Sequence, residues 1–187
     1  MKHLFKKLAA MTCALLAAAA TTACDSSDND GMTLAFDYMQ IDFTYDVSDD
    51  LLDVADITLT YTDPADGSQQ TVTLTDDDLD LTFRVKTFPA TFTISAAVVL
   101  KAGITLDSAP YDLSRAVTTQ FRAYYNDGDV HWSQGPNTDR DAVTVNLQQG
   151  NPDAVSDGVN AFIQALAQTY TYTIIQQSDG SFTVQTL

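Results

Sequence analysis

Beyond its aspartates, this 187-residue sequence holds few side chains able to do chemistry. It has two histidines, His3 and His131, and two cysteines, Cys13 and Cys24. His3 and Cys13 fall in an N-terminal stretch of targeting character. The remainder keeps one of each, which excludes a zinc site of His and Cys ligands within one chain. A Ser-His-Asp triad would depend on His131, and no Gly-x-Ser-x-Gly turn presents a nucleophile. No glycine-rich loop of the phosphate-cradling kind occurs. Every one of the twenty-five acidic residues is Asp. Two carboxylates can serve a glycosidase, but such a pair can be drawn almost anywhere here. A hydrolase using Asp residues is therefore the third reading, and no residue is singled out as catalytic.

Two kinds of stretch concentrate ligand-type groups. Asp76, Asp77, Asp78 and Asp80 form one acidic run, and Asn126, Asp127 and Asp129 form another. Both offer closely spaced oxygens of the kind calcium collects, about six to eight per ion. Neither follows the EF-hand spacing with its distal Glu, and the plainer reading of each is a solvated turn. Calcium is the one cofactor the sequence raises. The other stretch runs from His131 to Asp139 and holds the sole tryptophan, Trp132, with Gln134 and Asn137, just after Tyr124 and Tyr125. Its length and polarity suggest a loop, and long loops are more often functional than short ones. An aromatic ring stacks on the apolar face of a pyranose while amides hold its hydroxyls, so these five residues are candidates for glycan binding. The competing role for Trp132 is to plug one end of a core, which is the commoner use of Trp.

The elements that must position these groups alternate with a period of two. Leu34, Phe36 and Tyr38 alternate, the phase slips at Met39-Gln40, and Ile41, Phe43, Tyr45 and Val47 resume it, as in a strand with a bulge or two short strands. Ile57, Leu59 and Tyr61, the turn-forming Asp63-Pro64-Ala65-Asp66-Gly67, then Val72 and Leu74 read as a hairpin. Leu79 to Val85 is a strand that Pro89 closes. Phe92 to Leu100 is apolar on both faces, as a central strand would be. Ile104 and Leu106 suggest a short strand, and Val117 to Tyr125 a clear one. Val143, Val145 and Leu147 follow the polar stretch. Val155, Val159, Phe162, Ile163 and Leu166 then change to helical spacing, with Asn151 or Asp153 as cap and Pro152 near the first turn. Tyr170, Tyr172 and Ile174, then Ser178-Asp179-Gly180, then Phe182 and Val184 form a closing hairpin. Many short strands with Gly, Pro and Asp turns predict an all-β domain, an Ig- or fibronectin-like β-sandwich with one C-terminal amphipathic helix before the final hairpin. The alternative is a lipocalin-like β-barrel, although the Gly-x-Trp of that family is missing near the start of the domain.

The first thirty residues give an address. Lys2, Lys6 and Lys7 precede an apolar run from Leu8 to Ala20, the anatomy of an export signal and too short to span a bilayer. Thr21, Thr22 and Ala23 lead into Cys24, an arrangement that resembles a bacterial lipobox. The resemblance implies that the Cys24 thiol is acylated and becomes the first residue of the mature chain. Several acyl chains make a durable anchor, since each buried methylene contributes about 0.8 kcal/mol. An ordinary secretory signal with an incidental cysteine is the alternative. The run Asp25-Ser26-Ser27-Asp28-Asn29-Asp30-Gly31 is polar and acidic, with nothing to bury. It is similar to the export signal of Bacteroidota-type surface lipoproteins, which implies an outer membrane protein displayed on the cell surface. In enterobacterial-type sorting an Asp after the cysteine implies inner-membrane retention instead, and a plain spacer carries no address at all.

Residues 1–23 are thus read as signal peptide, 24–31 as lipidated cysteine and tether, and 32–187 as one domain. Three of the nine Lys and Arg precede Cys24, so six face twenty-five acids beyond it, a net of −19 against −16 for the full chain. Such a surface repels nucleic acid and attracts basic partners or calcium. The first functional reading is a lipid-anchored, non-catalytic binding or structural protein of the cell envelope, with a glycan or protein partner. The second is a carrier of a small apolar ligand. Cys24→Ala is expected to abolish incorporation of labelled fatty acid in the producing cell, and persistent labelling would dismiss the anchor.

Overall fold

The computed structural model describes residues 33–106, 110–146, 151 and 153–187. The export stretch, Cys24, the acidic tether, Leu147 and Pro152 lie outside the described residues. Nine strands and two helices follow one another as β1 (Phe36–Val47), α1 (Asp49–Val54), β2 (Ala55–Thr62), β3 (Gln69–Thr73), β4 (Asp78–Val85), β5 (Ala90–Leu100), β6 (Tyr111–Tyr125), β7 (Val130–Val145), α2 (Ala154–Leu166), β8 (Thr169–Gln176) and β9 (Phe182–Thr186) among the described residues. They form two antiparallel sheets, ordered β4-β1-β6-β7 and β3-β2-β5-β8-β9. The chain is an all-β sandwich, and the sheets do not close into the alternative barrel.

Alternation dictates the core. In β1, Met39, Ile41, Phe43, Tyr45 and Val47 are buried, and in β5 so are Phe92, Ile94, Ala96 and Val98. Rings meet between the layers: Phe92 lies 5.6 Å from Phe43 and 5.0 Å from Phe83, and Phe121 lies 5.5 Å from Tyr172. Each fully buried ring contributes roughly 2 kcal/mol or more through area removed from water. The phase slip in β1 falls at Asp37-Tyr38, two residues before the expected Met39-Gln40, because Met39 belongs to the core and the register with β6 shifts between Phe36 and Tyr38.

Three hairpin tips share one chemistry. Asp66, Asp127 and Asp179 each accept the backbone N–H two residues on, at 2.8, 3.0 and 2.9 Å. The residue between is Gly67, Gly128 or Gly180, with φ of 76°, 84° and 84°. These backbone bonds hold the Asp66 and Asp127 carboxyls below the usual carboxylate range, and at Asp179 the Ser181 hydroxyl does so first, with the backbone N–H second. Asp is a poor strand former but closes such turns well.

Several expectations are corrected. Six residues after β1 form a second helix, α1, whose Leu51 and Val54 reach the core while Asp49 and Asp50 sit in its first turn. Ile104 and Leu106 form no strand; they pack as loop residues against the core. The strand β5 is the middle strand of its sheet, as expected, while its outer face meets solvent, with Val99 59% exposed. The polar run from His131 to Asp139 is not a loop but part of the sixteen-residue β7. Strand pairing is a backbone matter, and an edge strand covered on one side tolerates a sequence poor in apolar residues. A bulge between the Thr119/Asn137 and Phe121/Gln134 pairs absorbs Gly135 and Pro136, which suits the known confinement of proline to edges and bulges.

Gly135 is required twice over. Its φ is 93°, and a Cβ there would come within 2.6 Å of the Thr119 carbonyl oxygen. Gly67 has a similar φ but open space around it. Gly67→Ala should cost about 1 kcal/mol, and Gly135→Ala on the order of 2 kcal/mol or more, in denaturant unfolding. Equal costs would show that the bulge can relax.

Candidate functional site

The five glycan candidates do not form one site. Neighbours in a strand face opposite ways, so Tyr124 and Tyr125 part company. Tyr124 stands on the outer face and stacks on Tyr38 with ring centres 4.9 Å apart. Tyr125 turns toward the end of the core, edge-on to Phe36 at 6.0 Å and to His131 at 4.9 Å. Trp132 is half-buried with its ring 5.6 Å from Phe182 of β9, which places it at the core end beside Phe36 and Phe88. His131 itself is exposed, its Nε2 2.6 Å from the Asp127 carboxylate.

Gln134 and Asn137 do share a face with Trp132. The register pairs Trp132, Gln134, Asn137, Asp139 and Asp141 with Ala123, Phe121, Thr119, Val117 and Arg115, all of them inward residues of β6. This is the core-facing side of β7, yet it carries amides and carboxylates. At its centre is Arg115, whose side chain is 1% exposed. One guanidinium nitrogen donates to Asp139, at 3.0 Å, and to Asp141; the other donates to the hydroxyl of Tyr170 in β8. Tyr170 Oη also lies 2.8 Å from Gln168 Oε1 and 3.2 Å from Asp139. The two aspartate side chains remain 58% and 40% exposed, so the network begins in the interior and ends in solvent.

Two polar atoms here are buried without a protein partner, Tyr45 Oη and Arg115 Nε. Burial drives the Tyr45 phenol up to about 12, while the Arg115 charge pulls it back. Burial likewise raises the Tyr172 phenol, opposed by a hydrogen bond with Thr119. The flank between β7 and β8 thus holds a guanidinium, two carboxylates, three phenols and three amides on one side of the sandwich. Sequence reasoning missed Arg115, Asp139, Asp141 and Tyr170. The signal was the arginine in the inward phase of Tyr111, Leu113, Arg115, Val117, an odd residue in an otherwise apolar series.

The calcium candidates scatter. Asp78 and Asp80 lie on the outer face of β4, with Asp78 directly opposite Asp46 of β1. Like charges placed so are unfavourable. Asp46 is held above the usual carboxylate range by partial burial first, then by Asp78 and Asp80. Asp80 accepts from Thr44 at 2.6 Å, and Asp76 from Thr75 at 3.2 Å. Asp127 serves its turn, with Asp129 providing the N–H. Among the described residues no three or more His, Cys or acidic side chains are grouped to hold a metal ion.

The fold and this flank define a two-sheet β-sandwich with a polar, partly open edge. Compared with protein-family models, curated proteins and solved structures, the chain has no match.

Removing both carboxylates strands a buried charge. Asp139→Asn with Asp141→Asn should cost on the order of 3 kcal/mol at neutral pH. Arg115→Met should cost less, because the two aspartates it frees already touch water. Chemical denaturation of both variants checks the order, and a reversed order would deny that the guanidinium depends on them.

Proposed function

We propose that this chain is a lipid-anchored, surface-displayed binding protein that catalyses nothing and uses its β7 flank to hold a glycan. The observation that carries the reading is the polarity of the inward face of β7. A sandwich normally lines that side with apolar residues. Here Gln134, Asn137, Asp139 and Asp141 follow one another beside Arg115 and Tyr170. Carboxylates fixed by a buried guanidinium are preorganised acceptors for sugar hydroxyls, and the Gln134 and Asn137 amides stand in the same row of the strand. Exposure of the two aspartates gives a ligand access.

The address rests on Cys24 and the acidic run after it, and the finer label of an Ig-like architecture on the general two-sheet arrangement. The apolar-carrier reading gains less support. Ring contacts fill the space between the sheets, and a groove of about 690 Å³ beside α1 is lined by Asp49, Asp53, Asp56 and Lys101 around only a few apolar residues. A hydrolytic role gains little too, since Asp139 and Asp141 are both committed to one guanidinium nitrogen.

The test is a neutral-glycan array probed with the Cys24→Ala protein and with its Gln134→Ala and Asn137→Ala derivatives. Binding that weakens about tenfold in either derivative, with unchanged melting temperature, is expected. Absence of any hit, or hits indifferent to both substitutions, would remove the flank from consideration.

A further inference from the structure

The outer face of the first sheet holds a different constellation. Tyr38 of β1 is paired with Tyr124 of β6, and the rings stack within 16° of parallel. The Arg84 guanidinium carbon sits over the Tyr38 ring, 4.7 Å from its centre. In the adjoining row, Gln40 is flanked by Arg84 on one side and Arg122 on the other. Two guanidinium groups and two phenols therefore occupy two neighbouring rows of one sheet face. Of the six cations beyond Cys24, Arg84 and Arg122 are a third.

Donors outnumber acceptors at this spot. Asp42 is the carboxylate within reach, and it is filled: Arg122 donates to one oxygen at 2.6 Å, while Gln40 and Thr82 donate to the other at 2.9 and 3.0 Å. Asp37 is taken by Lys86 at 2.8 Å. Arg84 is exposed and has no carboxylate partner among the described residues; its contact is the Tyr38 ring. Arg122 Nε also has no acceptor but is buried, so the N–H groups open to a ligand are chiefly those of Arg84. A planar guanidinium fork with unused N–H groups matches one chemical shape best, a carboxylate.

The surroundings narrow the ligand further. A chain with twenty-five acids repels a polyanion at any distance comparable to the screening length. One carboxylate on an uncharged body escapes most of that repulsion. The Tyr38 and Tyr124 hydroxyls can each donate to or accept from a hydroxyl group on that body. We propose that Arg84, Arg122, Tyr38 and Tyr124 form a site for a single carboxylate carried on a hydroxyl-rich, uncharged frame, the chemistry of a uronic acid residue. The site lies on the opposite face of the sheet from the β7 flank and does not depend on it.

Glucuronate titrated into the isotope-labelled Cys24→Ala protein tests it. Shifts confined to amides of β1, β4 and β6 around Gln40, weakening as salt is added, are expected, while glucose at the same concentration leaves those amides unmoved. Arg84→Gln should weaken glucuronate about tenfold. Tyr38→Phe with Tyr124→Phe, which keeps the stacked rings, should weaken it several-fold. Arg84 is exposed on an edge strand, so its variant keeps the fold, and unchanged shifts elsewhere verify that. Equal response to glucose, equal affinity in Arg84→Gln, or no response to glucuronate would each overturn the proposal. Gln134→Ala should leave these shifts intact, which keeps the outcome separate from that of the flank.

Discussion

A guanidinium cannot be taken out of water without compensation, and Arg115 sits where the two sheets face each other. The effective penalty for removing one such ion from water is several kcal/mol, and only good partners offset it. The partners come from two strands, β7 and β8. Asp139 and Asp141 approach from the same sheet and Tyr170 from the opposite one. The requirement therefore ties β7 to β6 and both to β8. A strand as polar as β7 has little other reason to stay in register, since most of its inward residues bury no apolar surface. Its position is set by one charge, by backbone pairing and by the close approach at Gly135.

The same arrangement explains what the sequence shows and what it hides. Strands with clean alternation, such as Ile41 to Val47 and Phe92 to Val98, announce their inward faces because burial of every second residue is the physical cause of the pattern. The helix from Ala154 to Leu166 is legible on the same ground, by its 3.6-residue spacing. The strand β7 is illegible because its cause is different: a buried arginine selects aspartates at the spacing where apolar residues would otherwise stand. Polar residues over that length resemble a loop until the partner strand is known. Similarly, Tyr124 and Tyr125 are adjacent in sequence, and only the strand geometry separates them onto opposite faces. The six-residue α1 offers too few turns for periodicity to register.

The exclusive use of Asp also has a structural sense. Its short side chain reaches back to its own backbone, which Glu does less well, and three of the hairpin tips exploit this. Others stand on outer faces beside threonines, as in the Thr44–Asp80 and Thr82–Asp42 contacts. Threonine ladders such as Thr60 with Thr71 and Ser95 with Thr169 continue the theme across the second sheet. The surface is thus hydroxyl and carboxylate over a core of rings.

One feature of β1 bears on mechanics. The chain enters the sandwich at Phe36, the first residue of a strand that is paired on both sides, with β6 along nearly its whole length and with β4 from Met39 to Asp46. At that entry Phe36 is wedged against Phe88, Tyr125 and Phe182. Tension applied through the preceding segment would run along β1, loading two ladders of hydrogen bonds in shear at once instead of peeling them one by one. The aromatic wedge would have to be extracted before any of them slid. A protein held by its N-terminal end against flow or pulling would meet the load with its most interlocked strand, while the more polar β7 edge carried none of it.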